Sequence, residues 1–459
     1  MSAARRRLSR FWNEALCANG AYRGWGTELP VLDFAVRKDG LAHIGALGRL
    51  HQSGGGKSAT GPKAWVLPHS SGAWHAKALS PERPAGDLWI FKPATASCGV
   101  GVVVGSADVV ASHLRDTATG QLPGVVQEYE ARPRLIGGLK FDLRCYAVCV
   151  AEARSSRLHV YLYLDGLARF ATRRYGSGGG GDAGDAGGGG AVEAVIAAQL
   201  PHDQHLTNYS VNQQAGGLGE GWLAALLGGG AAPGAGAGFL ESADASGGGG
   251  LDASGKVLAH KWSAASALSF MAAEREGPSW ATVGDLLAQA VADVLRAPVA
   301  RRSLASTLVP AAPPTEKRRF ELIGVDVLFD ADDCAHLIEL QRRPDLSPTS
   351  ALDFRVKSTL LAGVDALLTR HGGGSGSAGS DDFGSEAAAV PGDGGVPEGW
   401  MKLELPACEF DKQGPSARWD EWQRVDDAIC QAMQDDRDAW AAADTVWHSR
   451  DDGTRWLYD

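Results

Sequence analysis

The alternation of apolar and polar positions along the chain predicts a mixture of strands and helices. Residues 87–92 form a short apolar run that ends at Pro93, which is typical of a strand. Period-two runs elsewhere predict further strands, and runs with a period near 3.6 residues predict helices. The predicted strands span residues 102–104, 125–129, 141–151, 158–164, 321–329 and 335–341, and the predicted helices span residues 106–116, 262–274, 283–296 and 353–369.

The segment from Lys140 to Arg144 alternates charged and apolar side chains. In a strand, Lys140, Asp142 and Arg144 share one face, while Phe141 and Leu143 lie on the opposite face, toward the core. The alternation places two cations and one carboxylate in a row. A salt-bridged strand face would give the same pattern, so this segment alone does not separate a structural role from a functional one.

Two predicted neighbouring strands carry acidic side chains into an apolar setting. Asp326 lies in the first of these strands and Glu339 in the second. A buried carboxylate without a partner is energetically costly, and oxygen ligands of this kind are the ones that Mg²⁺ uses when it is bound to nucleotide phosphates. The pair is therefore a candidate metal site.

A glycine-containing loop follows the strand at residues 87–92. Its backbone N–H groups could fold over phosphate oxygens, and Lys92 at the end of the strand would add a point charge. A surface lysine beside an ordinary loop is the alternative. Residues 54–58 resemble the end of a P-loop, but His51 stands where that motif requires glycine, so we exclude this motif.

The composition indicates a globular chain that is interrupted by glycine-rich tracts. The 61 glycines concentrate in residues 176–190, 216–255 and 372–399. None of the seven cysteines forms a CxxC pair, which favours reduced thiols in an intracellular protein, and we expect Cys145 and Cys149 to be buried core residues. No stretch is long and apolar enough to span a membrane, so we expect no membrane association.

The net charge of −10 argues against general nucleic-acid binding. The charge is unevenly distributed, since residues 1–176 carry an excess of Lys and Arg and residues 371–459 carry an excess of Asp and Glu. A basic N-terminal part of the chain favours the binding of an anionic ligand or partner. Solvated surface charge is the alternative explanation for the asymmetry.

Taken together, the motifs resemble the ATP-grasp enzymes, and within them the tubulin–tyrosine ligase-like family. The resemblance covers about residues 35–370, and the motifs occur in the family's order. The stretches that carry it are residues 89–93, 126–129, 135–144, 161–170, 205–208, 261–263, 320–326 and 338–339.

The resemblance implies an α/β (α+β) fold of the ATP-grasp type, with three lobes and ATP between the central and C-terminal lobes. Residues 1–60 would form the N-terminal lobe, residues 61–124 the central lobe with the phosphate loop, and residues 125–370 the C-terminal lobe with flexible insertions. Residues 371–399 would be a linker, and residues 400–459 a tryptophan-rich acidic extension.

The resemblance also implies roles for individual residues. Lys92, Arg144 and Arg169 would be catalytic, with the two arginines steadying the transferring phosphate and the acceptor carboxylate. Gln127, Glu128 and Tyr129 would line the adenine hinge mainly through backbone groups, and Asp142 would approach the ribose. The implied ATP-binding residues are Lys38, Lys92, Gln127, Glu128, Tyr129, Lys140, Asp142, His205, Thr207 and Asn208, and the implied Mg²⁺ ligands are Asp326, Glu339 and Gln341.

The family's chemistry is ATP-dependent ligation of a carboxylate to an amine through an acylphosphate. The resemblance implies that this chain adds free amino acids, with glutamate expected, to acidic tubulin tails. It would act as a monomer in the cytoplasm and cytoskeleton, with the cilium or basal body as a further location. A tubulin glycine or tyrosine ligase is one alternative, and a catalytically weakened protein that binds microtubules or nucleotides is another.

Three departures from the family pattern keep the weakened alternative open. The family closes its metal site with asparagine where this chain has Gln341. The glycine loop carries no basic residue at Cys98 or Val100, and Glu128 replaces a basic hinge residue.

Overall fold

The computed structural model describes the part of the chain that holds most of the predicted elements. The described residues are 21–22, 25–26, 29, 32, 35–51, 61–67, 70–80, 87–93, 99, 101–116, 124–152, 157–176, 200–207, 261–296, 319–346, 348, 350–372 and 395–405. Among these residues no helix is long and apolar enough to cross a membrane.

The described elements alternate between strands and helices along the chain. The strands are β1 (Ala21–Tyr22), β2 (Trp25–Gly26), β3 (Ala64–Leu67), β4 (Leu88–Pro93), β5 (Val103–Ser106), β6 (Gly124–Glu128), β7 (Leu135–Ile136), β8 (Leu139–Glu152), β9 (Arg157–Phe170), β10 (Lys261–Ser263), β11 (Arg319–Phe329), β12 (Ala335–Arg342) and β13 (Trp400–Leu403). The helices are α1 (Lys38–His51), α2 (Ser71–Ala78), α3 (Ala107–Asp116), α4 (His202–His205), α5 (Ala264–Glu274), α6 (Trp280–Arg296) and α7 (Ala351–Gly372).

The larger sheet is built around the long hairpin β8–β9. Its strand order is β1-β2-β11-β8-β9-β10, while β12 pairs with β11, β13 pairs with β9 and β7 pairs with β8. Helices α5, α6 and α7 supply buried side chains to the same core cluster as these strands. Cys145 and Cys149 lie fully buried in this cluster, as predicted, and burial raises the pKa of both thiols.

The register of the larger sheet brings charged residues together across strands. Asp326 on β11 lies opposite Arg144 on β8 and opposite Glu339 on β12. Asp142 on β8 lies opposite Arg169 on β9. Because residues that face each other on neighbouring strands are about 5 Å apart at Cβ, the predicted site residues of four strands meet on one face of the sheet.

The smaller sheet is antiparallel, with strand order β3-β6-β4-β5. It packs on α2 and α3 through a core that includes Trp74, Trp89, Phe91 and Val110. We expected the central lobe to end at residue 124, but β6 pairs with β3 and β4 and therefore extends this sheet to Glu128. The domain limits otherwise stay a prediction.

Most predicted elements are present within one to four residues of their expected ends. The predicted helix at 262–274 begins later, at Ala264, because Lys261, Trp262 and Ser263 pair with β9. The Ser263 hydroxyl then accepts the backbone N–H of Ser266 at 3.0 Å and caps the helix. The helices and largely antiparallel sheets confirm the α+β class, while the three-lobe arrangement stays a prediction.

Several predictions concern residues outside the described part of the chain. These residues include 177–190, 216–255 and 373–394 of the three glycine-rich tracts, and residues 94–98 and 100 of the glycine loop. Within the loop, Gly99 and Gly101 have positive φ angles of 78° and 69°, and a Cβ at Gly101 would lie 2.9 Å from the Pro93 ring. Both positions therefore favour glycine.

Candidate functional site

One cavity of about 430 Å³ is lined by residues of both sheets. Helix α1 and the segment that follows α4 complete its wall. The cavity brings together every predicted site residue except Asn208, which lies outside the described residues. The predicted residues that line it are Lys38, Lys92, Gln127, Glu128, Tyr129, Lys140, Asp142, Arg144, Arg169, His205, Thr207, Asp326, Glu339 and Gln341.

Lys92 lies at one side of the cavity, on β4. Its ammonium donates to Oε1 of Gln127 at 2.8 Å, and the amide of Gln127 donates in turn to the carbonyl oxygen of Pro62 at 3.2 Å. Burial lowers the pKa of Lys92 to about 8, and Lys38 adds to this effect while Glu339 opposes it. A cation that is hard to keep charged in the protein alone gains most from an anionic ligand.

Lys140 on β8 is held by Tyr129. Its ammonium donates to the Tyr129 hydroxyl at 2.8 Å and lies 4.4 Å from the centre of the Tyr129 ring. Burial lowers the pKa of Lys140 to about 7, although Asp142 partly offsets the effect. Lys140 is therefore a second cation in the cavity whose charge an anion would stabilise.

The Tyr129 hydroxyl joins the hinge to the segment after β9. It lies 2.9 Å from Nδ1 of His205, and the His205 ring also contacts the ring of Tyr175, with 5.0 Å between centroids. Burial raises the pKa of Tyr129, so the hydroxyl keeps its proton at neutral pH. Since Lys140 uses one acceptor position of the oxygen, the hydroxyl proton can be donated to His205.

The hinge donors expected to contact adenine are already used within the protein. The backbone N–H of Glu128 donates to the Lys63 carbonyl at 2.8 Å, and that of Tyr129 donates to the Leu88 carbonyl at 2.9 Å. A backbone contact between these two residues and a ligand would therefore use their carbonyl oxygens as acceptors.

Asp142 and Arg169 form a fixed pair across β8 and β9. Nε of Arg169 donates to Oδ1 of Asp142 at 2.7 Å and Nη2 donates to Oδ2 at 2.6 Å. The hydroxyl of Thr207 donates to Oδ2 of Asp142 at 2.6 Å. Asp142 thus uses most of its acceptor positions to hold Arg169 and Thr207, which leaves little capacity for the contact with ribose that the family resemblance implies.

Asp326 is shared between two arginines. Arg144 pairs with it through Nε and, at 2.9 Å, through Nη2, while Nη2 of Arg169 donates to Oδ2 at 2.9 Å. Burial alone would raise the pKa of Asp326, but the two guanidinium groups outweigh burial and hold the pKa well below its usual value. Asp326 is therefore ionised across the physiological pH range.

The three predicted metal ligands are suited to a divalent cation. Glu339 lies directly opposite Asp326, so two carboxylates face each other across β11 and β12. Gln341 follows two residues later on the same face, and its Oε1 atom is buried with no hydrogen-bond partner among the described residues. Two carboxylates and an amide oxygen are ligands that Mg²⁺ accepts, so the residues present fit the ion by donor type. Asp326 would bind it through the one acceptor position that its three hydrogen bonds from Arg144 and Arg169 leave.

The sequence analysis missed the apolar wall of the cavity. This wall can accept a flat aromatic group, but apolar side chains of a strand carry no chemical signal in a sequence. Its residues are Leu41, Ile90, Val102, Val125, Leu206, Leu328, Leu337 and Ile338.

A second buried ionic cluster was also missed. Lys261 on β10 and Lys357 on α7 share the carboxylate of Asp353, at 3.3 Å and 3.8 Å. Burial lowers the pKa of Lys357, with Asp353 opposing it. Lys261 lies opposite Arg169 on β9, so this cluster borders the site.

Comparisons with known proteins identify a family and several relatives that share this part of the sequence. The model of the "Tubulin-tyrosine ligase family" matches residues 36–217 and 260–369. Human "Tubulin polyglutamylase TTLL5" is 27% identical over 283 residues, which are 61% of this chain and 17% of that protein.

Two mouse proteins give similar matches. "Tubulin monoglutamylase TTLL4" is 22% identical over 306 residues, or 65% of this chain and 20% of that protein. "Probable tubulin polyglutamylase TTLL2" is 26% identical over 315 residues, or 68% of this chain and 45% of that protein. The match spans less than half of each relative. Since the family model covers more than half of this chain, the chain belongs to the tubulin-tyrosine ligase family.

Proposed function

We propose that this protein is an ATP-dependent ligase that adds amino acids, glutamate above all, to tubulin tails. The observation that carries the proposal is the single cavity, which joins three lysines, two arginines and two candidate metal-binding carboxylates. The relatives named as tubulin polyglutamylases and monoglutamylases support tubulin as substrate and glutamate as the amino acid.

In this proposal ATP lies with its base against the apolar wall and its phosphates toward the lysines. Lys38, Lys92 and Lys140 supply positive charge from three separate elements. The lowered pKa values of Lys92 and Lys140 indicate that the protein alone provides little compensation for these charges. Binding of the negatively charged triphosphate would compensate for the charges of both lysines.

Asp326, Glu339 and Gln341 would hold Mg²⁺. When bound, the ion would neutralise phosphate charge and make the γ-phosphorus easier to attack. The protein's own part is to keep these oxygen donors on two paired strands, with Asp326 ionised by the arginines beside it.

The proposed reaction has two steps. An oxygen of the acceptor carboxylate attacks the γ-phosphorus of ATP, and the bond to ADP breaks, which gives an acylphosphate. The amine nitrogen of the incoming amino acid then attacks the acyl carbon, phosphate leaves, and the nitrogen loses a proton to give the amide. ATP, carboxylate and amine thus become ADP, phosphate and an amide.

Arg144 and Arg169 would stabilise the negative charge that gathers during both steps. Their guanidinium groups are held by Asp326, and Arg169 is held by Asp142 as well. Donors that are already oriented need no reorganisation when charge develops, which is the main source of electrostatic stabilisation in enzymes.

The experiment combines the purified chain with MgATP, tubulin, and an equimolar mixture of glutamate, glycine and tyrosine. Mass spectrometry of the tubulin tails then identifies any residue added. Glutamate adducts that require ATP support the proposal, while glycine or tyrosine adducts support the alternative ligases. If no adduct forms although ATP binds, the protein is a non-catalytic member of the family and the ligase proposal is wrong.

A further inference from the structure

A group of metal-ligating side chains lies between the hinge and the β11–β12 hairpin. Glu130 follows Tyr129 directly, while Asp330 and His336 lie on either side of the turn that joins β11 to β12. One oxygen of each carboxylate and one ring nitrogen of His336 all lie within 4.8 Å of one another. None of these three residues belongs to the Mg²⁺ ligand set proposed above.

Backbone hydrogen bonds hold the turn that carries two of these side chains. Oδ1 of Asp330 accepts the backbone N–H groups of Asp332 at 3.0 Å and Cys334 at 2.9 Å, which fixes the direction of the carboxylate. The hinge segment is attached to the same turn, because the N–H of Ala331 donates to the Arg132 carbonyl at 2.7 Å. Side chains positioned in this way need little reorganisation on binding a metal ion.

The distances suit a cation shared by His336 and Asp330. Nε2 of His336 lies 3.0 Å from Oδ2 of Asp330. Two ligand atoms that are each about 2.1 Å from one tetrahedral ion are about 3.4 Å apart. A metal ion can therefore take the place of the proton between these two atoms if they separate by about 0.4 Å, a shift that side-chain rotation can supply.

The donor set also selects the kind of metal. An imidazole nitrogen with two carboxylates suits Zn²⁺ and related transition metals, whereas Mg²⁺ and Ca²⁺ prefer oxygen ligands alone. We propose that Glu130, Asp330 and His336 form a binding site for a divalent transition-metal ion of the Zn²⁺ type, with water completing the coordination. The bound ion would tie the hinge, next to Tyr129, to the hairpin that carries Asp326 and Glu339.

The test measures Zn²⁺ binding to the full chain by isothermal titration calorimetry, after treatment with a chelator and without ATP or tubulin. His336→Gln is the main variant, because a glutamine amide can keep a hydrogen bond to Asp330 but is a poor metal ligand. The matched control is His75→Gln, which removes an exposed histidine from α2. Glu130→Gln tests the third ligand, and circular dichroism checks that every variant is folded.

We expect one Zn²⁺ site that His336→Gln and Glu130→Gln each weaken by at least about tenfold, and that His75→Gln leaves unchanged. An excess of Mg²⁺ should not displace Zn²⁺ from the site. Zn²⁺ binding that is absent from the wild type, or that is equal in wild type and either cluster variant, would overturn the proposal. Because no nucleotide or tubulin is used, either result is independent of the ligase proposal.

Discussion

Protonation of Lys140 should make ATP binding depend on pH. Burial lowers the pKa of this ammonium to about 7 in the free protein, so most of it is neutral above that pH. If Lys140 contacts the ATP phosphates, binding raises its pKa, and the protein must take up a proton whenever Lys140 was neutral beforehand. Affinity should therefore fall as pH rises through the free-state pKa.

The size of the effect follows from that value. For one group with a free-state pKa of about 7, full protonation in the complex makes the dissociation constant roughly 25-fold larger at about pH 8.5 than at about pH 6.5. Lys92, with a pKa of about 8, would add to this change in the same direction. At about pH 8, close to one proton should be taken up through Lys140 for each ATP bound.

Isothermal titration calorimetry with MgATP measures both quantities. Titrations in two buffers of different ionisation enthalpy give the number of protons taken up, and a pH series gives the affinity. Lys140→Met is the informative variant, since it should bind ATP more weakly at low pH and lose most of the pH dependence. Affinity that is constant over this pH range with no proton uptake would refute the contact between Lys140 and the phosphates.

Three further predictions concern single substitutions. Lys92→Ala should abolish ligation while circular dichroism and melting temperature stay near wild type, because a lysine at the cavity wall contributes little to the core; near-normal turnover would contradict its proposed phosphate contact. Gln341→Asn should lower the Mg²⁺ concentration needed for half-maximal ATP binding by several-fold, because the shorter side chain suits near-octahedral geometry better; an unchanged Mg²⁺ dependence would exclude Gln341 as a ligand. Gly363→Ala should lower the free energy of unfolding by about 1–3 kcal/mol in urea titrations, because its Cβ would lie 1.9 Å from Nε1 of Trp400. Gly72→Ala, which meets nothing within 4 Å, is the control for Gly363→Ala, and equal stability of the two variants would show that the contact with Trp400 does not matter.

Local patterns were sufficient to predict the strand face that forms the centre of the site. Phe141 and Leu143 are buried in the core, and Lys140, Asp142 and Arg144 line the cavity, as the period of two predicts. The pairing of these side chains across strands was not predictable. It depends on register, which long-range packing sets and which no local signal within the chain encodes.

Two of the elements that were missed have identifiable physical reasons. Helix α1 contains three glycines, which weaken the helical signal, and its packing in the folded protein compensates for that weakness. Strand β13 has four residues and is separated from its partner β9 by about half of the chain. Short segments of this kind become strands only because they pair with the edge of an existing sheet. The position of that edge cannot be predicted from the sequence of the segment itself.

Strand β13 lies beyond the residues that the family model matches, and its position has a consequence for solubility. It pairs with Val160–Tyr163 of β9, on the edge that β10 leaves uncovered. An uncovered edge presents unpaired N–H and C=O groups to other chains and promotes aggregation. A protein shortened to residues 1–369 would keep every residue of the candidate site yet expose this edge, so it should self-associate more strongly than the full chain.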